Sequence, residues 1–363
     1  MIQSTHLVSR VDTEIAEFLA SREPILAAVA DELSAFTDFS RDLLSGGKRF
    51  RARFCIAGWQ ATSDGTDSAQ ERAVITLAAA LEVFHAAALV HDDIIDNSDT
   101  RRGMPAAHVR FAALHRDQQF VGSADTFGRA SAILHGDLLL GWSDELVDAA
   151  LDLLVDQDDA RSTRAEFNRM RTEVTVGQYL DILEENAWPT VPESDTIRRA
   201  ERVMTFKSAK YSVEAPLALG ALIGGGSATH VSALRAFGLP LGLAFQLRDD
   251  VLGVFGDAAI TGKPAGDDVR EGKRTVLVAL ARQGMTASQR EAFDDALGRP
   301  ELDDAAIADL QRQIELTGAL ESAERSISAY TAEALKALQA AHLDAHATEE
   351  LEELARLLTE RSS

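Results

Sequence analysis

Apolar residues recur along this chain at helical spacing. Between residues 11 and 36 they return every three or four positions, with acidic residues on the opposite face, which is the pattern of an amphipathic helix. The same spacing runs through residues 130–155, 165–186 and 197–222, and from residue 302 onward. Strict alternation of apolar and polar residues, which marks a half-buried strand, is rare. The pattern therefore predicts an all-α protein.

Two longer apolar runs each end at a pair of adjacent carboxylates. One run precedes Asp92 and Asp93, and the other precedes Asp249 and Asp250. On a helix, residues three and four apart share a face, so Asp92 and Asp93 can both converge with Asp96. Carboxylates this close repel one another, and their burial is costly unless a cation lies between them. Their oxygens favour Mg²⁺ over Zn²⁺, because no cysteine or paired histidine accompanies them. We expect both clusters to bind Mg²⁺ and, through it, a diphosphate.

A second interpretation is open for either pair alone. A chain with 58 Asp and Glu residues produces adjacent acids by chance, and most acidic runs are solvated helix faces. The net charge of −22 opposes nucleic-acid binding. An acidic enzyme that handles anionic substrates must therefore gather lysine, arginine or metal locally.

Composition also predicts a cytoplasmic protein without a membrane segment. The apolar fraction is 46%, enough for a large core. The single cysteine, Cys55, fits a reducing compartment and a core position. Residues 1–10 contain no apolar stretch of signal-peptide type. The longest apolar run is interrupted by Glu82 and His85, which argues against a transmembrane span.

Two basic stretches flank the first acidic cluster. Gly46 and Gly47 precede four basic residues within residues 48–53. Glycines let the backbone approach a ligand, and a helix beginning there would add its N-terminal amides to a phosphate site. Arg101 and Arg102 follow the carboxylates closely, and arginine binds phosphate oxygens in a bidentate manner. The alternatives are a basic surface turn and a plain Asp–Arg salt-bridge patch.

A glycine-rich stretch with two lysines, Lys263 and Lys273, follows the second acidic pair. This composition predicts a lid over a phosphate. A Walker loop is excluded because no strand precedes it. Lys207 lies inside an apolar helical pattern. A lysine in such a place usually buries its aliphatic chain and extends its charged group toward solvent.

In this combination and order, the motifs resemble those of the trans-isoprenyl diphosphate synthases, also called polyprenyl synthetases. The resemblance runs from about Gly46 to Lys273 and is highly specific. It implies one all-α domain over residues 1–363, an isoprenoid synthase-type helical bundle with a central cavity, and a homodimer. It also implies isoprenoid diphosphates as substrates and Mg²⁺ as the cofactor, with three ions.

The same resemblance assigns roles to individual residues. The implied metal ligands are Asp92, Asp93, Asp96, Asp249 and Asp250. The other residues implied at the leaving allylic diphosphate are Arg101, Lys207, Ser208, Gln246, Lys263 and Lys273. Those implied at isopentenyl diphosphate are Lys48, Arg51, His85 and Arg102. The chain departs from the family pattern at Gly253, where many members have Asp. We expect this departure to affect the affinity for Mg²⁺.

The implied reaction is head-to-tail prenyl transfer, and α-helical geometry suggests its product length. Ala87 and Ala88 lie roughly 6–7.5 Å back along the helix from Asp92, and Phe84 roughly 12 Å back. Farnesyl synthases of the family often carry an aromatic residue one turn before the motif. Here that space is open, with Phe84 as a floor, so we expect geranylgeranyl diphosphate first and longer polyprenyl products second. Phe84 as a plain core residue is the alternative.

Three rival functions are weaker. A class I terpene cyclase usually needs an Asn/Ser/Glu metal triad in the second motif, which residues 249–253 lack. A metal-dependent phosphohydrolase would need further histidine ligands at suitable spacing. A non-catalytic partner subunit of a heteromeric synthase is the non-enzyme alternative, although both acidic pairs and the matched lysines are present.

Overall fold

Helices make up most of the part of the chain that the structure describes. The computed structural model describes residues 2–256, 266–299, 302–341 and 343–359. Within those ranges the only strands are Thr100–Arg101 (β1) and Met104–Pro105 (β2), which pair as an antiparallel hairpin. The predicted all-α fold class is confirmed.

The helices follow one another with short connections. The first six are α1 (Ile2–Ala27), α2 (Ser34–Leu44), α3 (Phe50–Gln60), α4 (Ser68–Ile95), α5 (Ala107–Asp117) and α6 (Ala124–Leu151). The next group comprises α7 (Gln157–Ala187), α8 (Thr196–Val203), a π-helix (Met204–Glu214), α9 (Ala215–Ile223) and α10 (Ala228–Phe255). The last group comprises α11 (Asp267–Glu271), α12 (Val276–Gln283), α13 (Ala287–Ala296), α14 (Asp304–Leu316), α15 (Ala319–Ala340) and α16 (Ala345–Thr359).

The sequence pattern misplaces one helix boundary. It predicts a single helix over residues 11–36, but α1 ends at Ala27 and α2 begins at Ser34, with a 3₁₀ turn at Asp31–Leu33 between them. Apolar residues keep helical spacing on both sides of the turn, so periodicity alone does not reveal the break.

The chain divides into two compact units. The first contains Met1–Arg164 and Leu219–Ser227, and the second contains Ala165–Ala218 and Ala228–Ser363. Helices α7 and α9 contribute residues to both units. The prediction of one domain over residues 1–363 stays a prediction.

The core of the first unit is built around α4. Asp67 caps this helix by accepting hydrogen bonds from the N–H groups of Ala69 and Gln70, and α6 packs along it. By length and hydropathy α4 could cross a membrane, but 83% of its most apolar window is buried within the protein. A helix that is apolar on all sides is also typical of a protein core. Cys55 on α3 is buried as predicted.

The core of the second unit is built around α10, which packs against α15 and the π-helix. The π-helix continues directly from α8 and carries Lys207 and Ser208. Gly177 on α7 lets the two backbones approach closely, because a Cβ at this glycine would lie 2.5 Å from the backbone nitrogen of Lys207. Long π-helices are rare and often occur at functional sites. This packing fixes the backbone from which Lys207 extends.

Candidate active site

The first aspartate cluster lies at the C-terminal end of α4. Asp92 and Asp93 belong to its last turn, and Asp96 is the C-cap residue, whose N–H donates to the carbonyl of Asp92 at 2.8 Å. Asp92 and Asp96 are partly exposed, whereas Asp93 is only 2% exposed. The carbonyls at a helix C-terminus carry negative partial charge. This end of α4 therefore disfavours carboxylates unless cations accompany them.

Asp93 forms an ion pair with Arg101. Arg101 Nε donates to Asp93 Oδ1 at 2.9 Å, and Nη2 donates to the same oxygen. Asp92 Oδ2 lies 3.6 Å from Arg101 Nη2. Across the described ranges, no three His, Cys, Asp or Glu side chains already surround one point as a metal centre would require. The described carboxylates therefore do not form a preassembled metal site.

The β1–β2 hairpin presents Arg101 and Arg102. Thr100 pairs with Pro105 and Arg101 with Met104, so the turn consists of Arg102 (φ 54°) and Gly103 (φ 73°). Positive φ at both central residues is characteristic of a type I′ turn. Arginine is uncommon in this conformation, and such strain concentrates at functional sites.

Arg102 connects the hairpin with the predicted Gly-Gly-basic stretch. Its Nη1 lies 3.4 Å from the carbonyl oxygen of Leu43, and a Cβ placed at Gly47 would lie 3.4 Å from the same nitrogen. Gly47 itself has a φ of 87°, a conformation that favours glycine. The two basic stretches predicted from the sequence are therefore brought together.

Four arginines surround His85, one of the predicted substrate contacts on α4. Burial lowers the pKa of His85 well below its ordinary value, and the positive charges of Arg51, Arg102, Arg101 and Arg49 lower it further. Burial also lowers the pKa of Arg102, and the neighbouring arginines add to that effect. So many like charges around a neutral imidazole favour the binding of an anion.

Arg49 belongs to the framework of this basic site. It is 7% exposed and donates to the carboxylates of Asp12 at 2.9 Å and Glu82 at 3.3 Å. Glu82, 5% exposed, also accepts a hydrogen bond from the backbone N–H of Ala52 at 3.2 Å. In the sequence, Glu82 only interrupts an apolar run, and a charge within such a run was the available signal of its role.

The positions predicted to set product length have different environments. Counting along α4, Phe84 and Ala88 lie on the side of the helix that carries Asp92, whereas Ala87 lies roughly 140° away from it. Ala87 is completely buried, Phe84 is 3% exposed, and Ala88 is partly exposed. Of the two alanines, Ala88 has the position from which a side chain can face bound substrate.

The second unit gathers two of the predicted lysines around a carboxylate that was not among the predicted site residues. Lys207 Nζ donates to Asp181 Oδ2 at 2.5 Å, and Lys273 Nζ lies 3.4 Å from the same oxygen. Lys273 is buried and also lies 3.1 Å from Glu185 Oε1. The signal available in the sequence was the position of Asp181, one helical turn after Gly177 on α7.

Asp250 is a buried carboxyl group of this second site, close to other carboxylates. It is 6% exposed and accepts a hydrogen bond from Gln246 Nε2 at 2.8 Å. Its pKa is raised to about 7, chiefly by burial and also by the carboxylates of Asp249 and Asp181, while Gln246 and Lys207 oppose the rise. A carboxyl group that holds its proton so strongly lacks sufficient positive charge nearby. The donors here are hard oxygens, so the site fits Mg²⁺.

Three further predicted substrate contacts are Ser208, Lys263 and Lys48. Ser208 follows Lys207 in the π-helix and is partly exposed. Lys263 lies outside the described residues. Lys48 is exposed, and its carbonyl accepts a hydrogen bond from Arg53 Nε at 2.9 Å.

Comparison with known families settles where this arrangement belongs. The family model described as polyprenyl synthetase matches residues 34–314. The chain belongs to the polyprenyl synthetase family. It is a prenyltransferase, as the resemblance implied.

Relatives with established names support this family assignment across most of the chain. A short chain isoprenyl diphosphate synthase of Methanocaldococcus jannaschii is 31% identical over 78% of this chain and 79% of its own length. A geranylgeranyl diphosphate synthase of Saccharolobus solfataricus is 32% identical over 85% of this chain and 81% of its own length.

Solved structures of polyprenyl synthetases match the fold over almost the whole chain. Geranylgeranyl pyrophosphate synthase from Corynebacterium glutamicum, complexed with isoprenyl diphosphate and magnesium, is 39% identical with a TM-score of 0.91 and covers 98% of this chain and 99% of its own. A decaprenyl diphosphate synthase from Rhodobacter capsulatus is 26% identical with a TM-score of 0.73, at 99% and 97% coverage. The predicted isoprenoid synthase-type bundle is confirmed.

Proposed function

We propose that this prenyltransferase condenses isopentenyl diphosphate with an allylic diphosphate and releases pyrophosphate. The product is a trans-prenyl diphosphate longer than C15, with geranylgeranyl diphosphate first and a longer polyprenyl diphosphate second. The observation that carries the proposal is the convergence of Arg51, Arg101 and Arg102 on neutral His85. Such a cluster, in a chain with a net charge of −22, suits a polyanionic substrate group.

Isopentenyl diphosphate is the proposed ligand of this basic cluster, with Lys48, Arg51, His85 and Arg102 as its contacts. A neutral imidazole donates or accepts hydrogen bonds without adding charge. The arginines provide bidentate donors for phosphate oxygens. The buried contacts of Glu82 with Arg49 and with the N–H of Ala52 keep the adjacent backbone in place, so the donors are positioned before substrate arrives.

Asp92, Asp96 and Asp249 are the proposed ligands of Mg²⁺, with three ions as the family resemblance implies. Bound Mg²⁺ would neutralise the charge that develops on the departing diphosphate. Asp93 holds the guanidinium of Arg101, and Asp181 holds the ammonium of Lys207, so each cation is held in place within its own unit. Gln246 orients the carboxyl group of Asp250. Lys263 is a proposed contributor by resemblance alone.

The bond changes balance without a protein base. The C–O bond of the allylic diphosphate breaks, and the electron pair leaves with pyrophosphate. The double bond of isopentenyl diphosphate forms the new C–C bond with the allylic carbon. A proton is then lost from the isopentenyl unit, and the released pyrophosphate is the proposed acceptor. The residues of the site bind, orient and stabilise charge.

The proposed enzyme is a cytoplasmic homodimer. Leu134 and Ile133 on α6 are 61% and 45% exposed. Phe127 lies two turns before Leu134 on the same helix face, and its ring packs against that of half-exposed Phe120 with centroids 5.8 Å apart. Exposed apolar surface of this kind marks protein interfaces, and a second copy of the chain is the proposed occupant.

An elongation assay tests the proposed function. The purified chain would be incubated with labelled isopentenyl diphosphate, Mg²⁺ and one allylic starter at a time, either dimethylallyl, geranyl or farnesyl diphosphate. A dominant C20 product is expected, with an Asp92→Asn variant as the inactive control. Products beyond C20 would favour the polyprenyl alternative. No elongation from any starter would contradict the proposal and favour a partner subunit or a cyclase.

A further inference from the structure

Gly253 departs from the family pattern, and the structure shows what occupies the space of its missing side chain. A Cβ placed at Gly253 would lie 2.5 Å from the carboxylate carbon of Asp268, and still closer to Asp268 Oδ2. Cβ atoms essentially never come within 3.0 Å of another atom in this way. The Asp268 carboxylate therefore fills the volume that a side chain at position 253 would need.

The backbone holds Asp268 in this position. Asp268 is the second residue of the short helix α11, between Gly266 and Gly272, whose φ values of 76° and 77° are both positive. The carbonyl of Asp268 accepts a hydrogen bond from the N–H of Lys273 at 3.0 Å. The next residue, Val269, is 1% exposed and lies in the core of the second unit. A buried anchor on one side and two left-handed glycines at the ends fix the direction of the helix.

Gly253 lies on the metal-binding face of α10. It follows Asp249 by four residues and Asp250 by three, so all three positions share one side of the helix. We infer that Asp268 supplies to the second aspartate-rich motif the carboxylate that Gly253 lacks. Asp268 is thus a further residue of the Mg²⁺–diphosphate site, and Gly253 leaves the space that its carboxylate occupies. This inference rests on the proposed function.

Binding of Mg²⁺ and inorganic pyrophosphate tests the inference without relying on turnover. The rise in melting temperature on adding both, and the Mg²⁺ concentration at half the rise, would be measured for each variant. Asp268→Asn preserves shape and removes charge, so it should raise that concentration about ten- to a hundredfold. Asp267→Asn, a matched change one residue earlier on α11, should stay within about twofold.

A complementation pair sharpens the test. In Gly253→Asp/Asp268→Ala the carboxylate is moved from α11 to α10 within the same volume. This double variant should recover most of the Mg²⁺ response that Asp268→Ala alone loses. Gly253→Ala should weaken the response without any change of charge, because its Cβ displaces the Asp268 carboxylate.

Three results would overturn the inference. They are a wild-type Mg²⁺ response in Asp268→Asn, an equal loss in Asp267→Asn, and no recovery in the double variant. Melting temperatures without ligand report whether each variant is folded. If wild type binds Mg²⁺ and pyrophosphate but forms no prenyl product, the proposed function fails while the comparison of Asp268 with Asp267 still decides the role of the residue.

Discussion

Glu82 and Arg49 stabilise the basic site through a buried ion pair. Arg49 is 7% exposed and Glu82 is 5% exposed, and a charge left unpaired in such a place is costly. The same carboxylate holds the first turn of α3 through the N–H of Ala52, next to Arg51. These two contacts make Glu82 a positioning residue for the proposed isopentenyl diphosphate site.

Substitution of Glu82 should affect one substrate more than the other. Glu82→Gln is expected to lower the free energy of unfolding by about 3–5 kcal/mol and to raise KM for isopentenyl diphosphate. KM for the allylic substrate should change little. Urea unfolding and steady-state kinetics with each substrate varied in turn measure both effects.

Asp12 offers the matched control, since it also pairs with Arg49 but its side chain is 53% exposed. Asp12→Asn should cost less than about 1 kcal/mol and leave both KM values unchanged. Equal effects of the two substitutions would contradict a special role for Glu82.

His135 makes the stability of the first unit depend on pH. Its ring is fully buried, its Nε2 lies 2.8 Å from Ser40 Oγ, and Phe36 and Phe111 pack against it. The pKa of His135 is lowered from 6.5 to about 4, chiefly by burial and also by the positive charges of Arg110 and His91. Protons therefore bind the unfolded state first. The stabilisation is complete above pH 6.5 and is lost as pH falls toward 4.

We expect wild type to lose about 2 kcal/mol from this group between pH 7 and pH 5. Urea unfolding of wild type and His135→Gln at the two pH values measures the loss, and the variant should lack this component. If both proteins have the same pH dependence, His135 is not its source.

The sequence predicted residue types better than residue contacts. The order of Asp92, His85 and Arg102 along the chain identified the family and its chemistry. It could not show that Asp93 pairs with Arg101, because adjacent carboxylates have the same pattern whichever side of the helix they face. Arg49 and Lys48 are likewise adjacent and basic, yet only the fold buries one and exposes the other.

At the scale of single elements, helices were predictable and their interruptions were not. Long apolar runs identified α4 and α10, because burial on all sides leaves a continuous signal. The π-helix at Met204–Glu214 has no comparable signature, since its apolar spacing resembles that of an α-helix. The break between α1 and α2 was missed for the same reason.

We expect product length to depend on which side of α4 is enlarged. Ala88→Phe should shorten the product from C20 toward C15 or C10. The phenyl ring would lie roughly 6 Å from Asp92 along the helix, on the side of α4 that carries Asp92. Ala87→Phe should mainly destabilise, by about 1–3 kcal/mol, because Ala87 is completely buried in a close-packed core.

Sizing the extracted prenols and measuring urea unfolding distinguish the two variants. The two variants introduce the same side chain on α4 and differ in the direction in which that side chain leaves the helix. A shortened product from Ala87→Phe, with no change from Ala88→Phe, would contradict the assignment of these two faces.

At the scale of the whole molecule, the apolar surface of α6 predicts assembly. Leu134→Glu would place a charge on a residue that is 61% exposed, so the fold of the chain should persist. We expect sedimentation equilibrium to give twice the 39.1 kDa chain mass for wild type and a large shift toward monomer for the variant. Glu substitution at Val155, which is 89% exposed outside that surface, is the control. A dimeric Leu134→Glu protein would contradict this interface.

The hydropathy of α4 also has a consequence for synthesis on the ribosome. Its most apolar window has a mean hydropathy of 2.0, and α6, the helix that packs along it, is not complete until Leu151. At about 5–20 residues per second, the segment waits roughly 3–11 s between the translation of Ile95 and that of Leu151. During this interval the nascent chain carries a segment with the hydropathy of a membrane span that can pack against α1 and α3 but not yet against α6. Productive synthesis therefore depends on early shielding of α4, and this need is set by the order of the helices along the chain rather than by the stability of the finished protein.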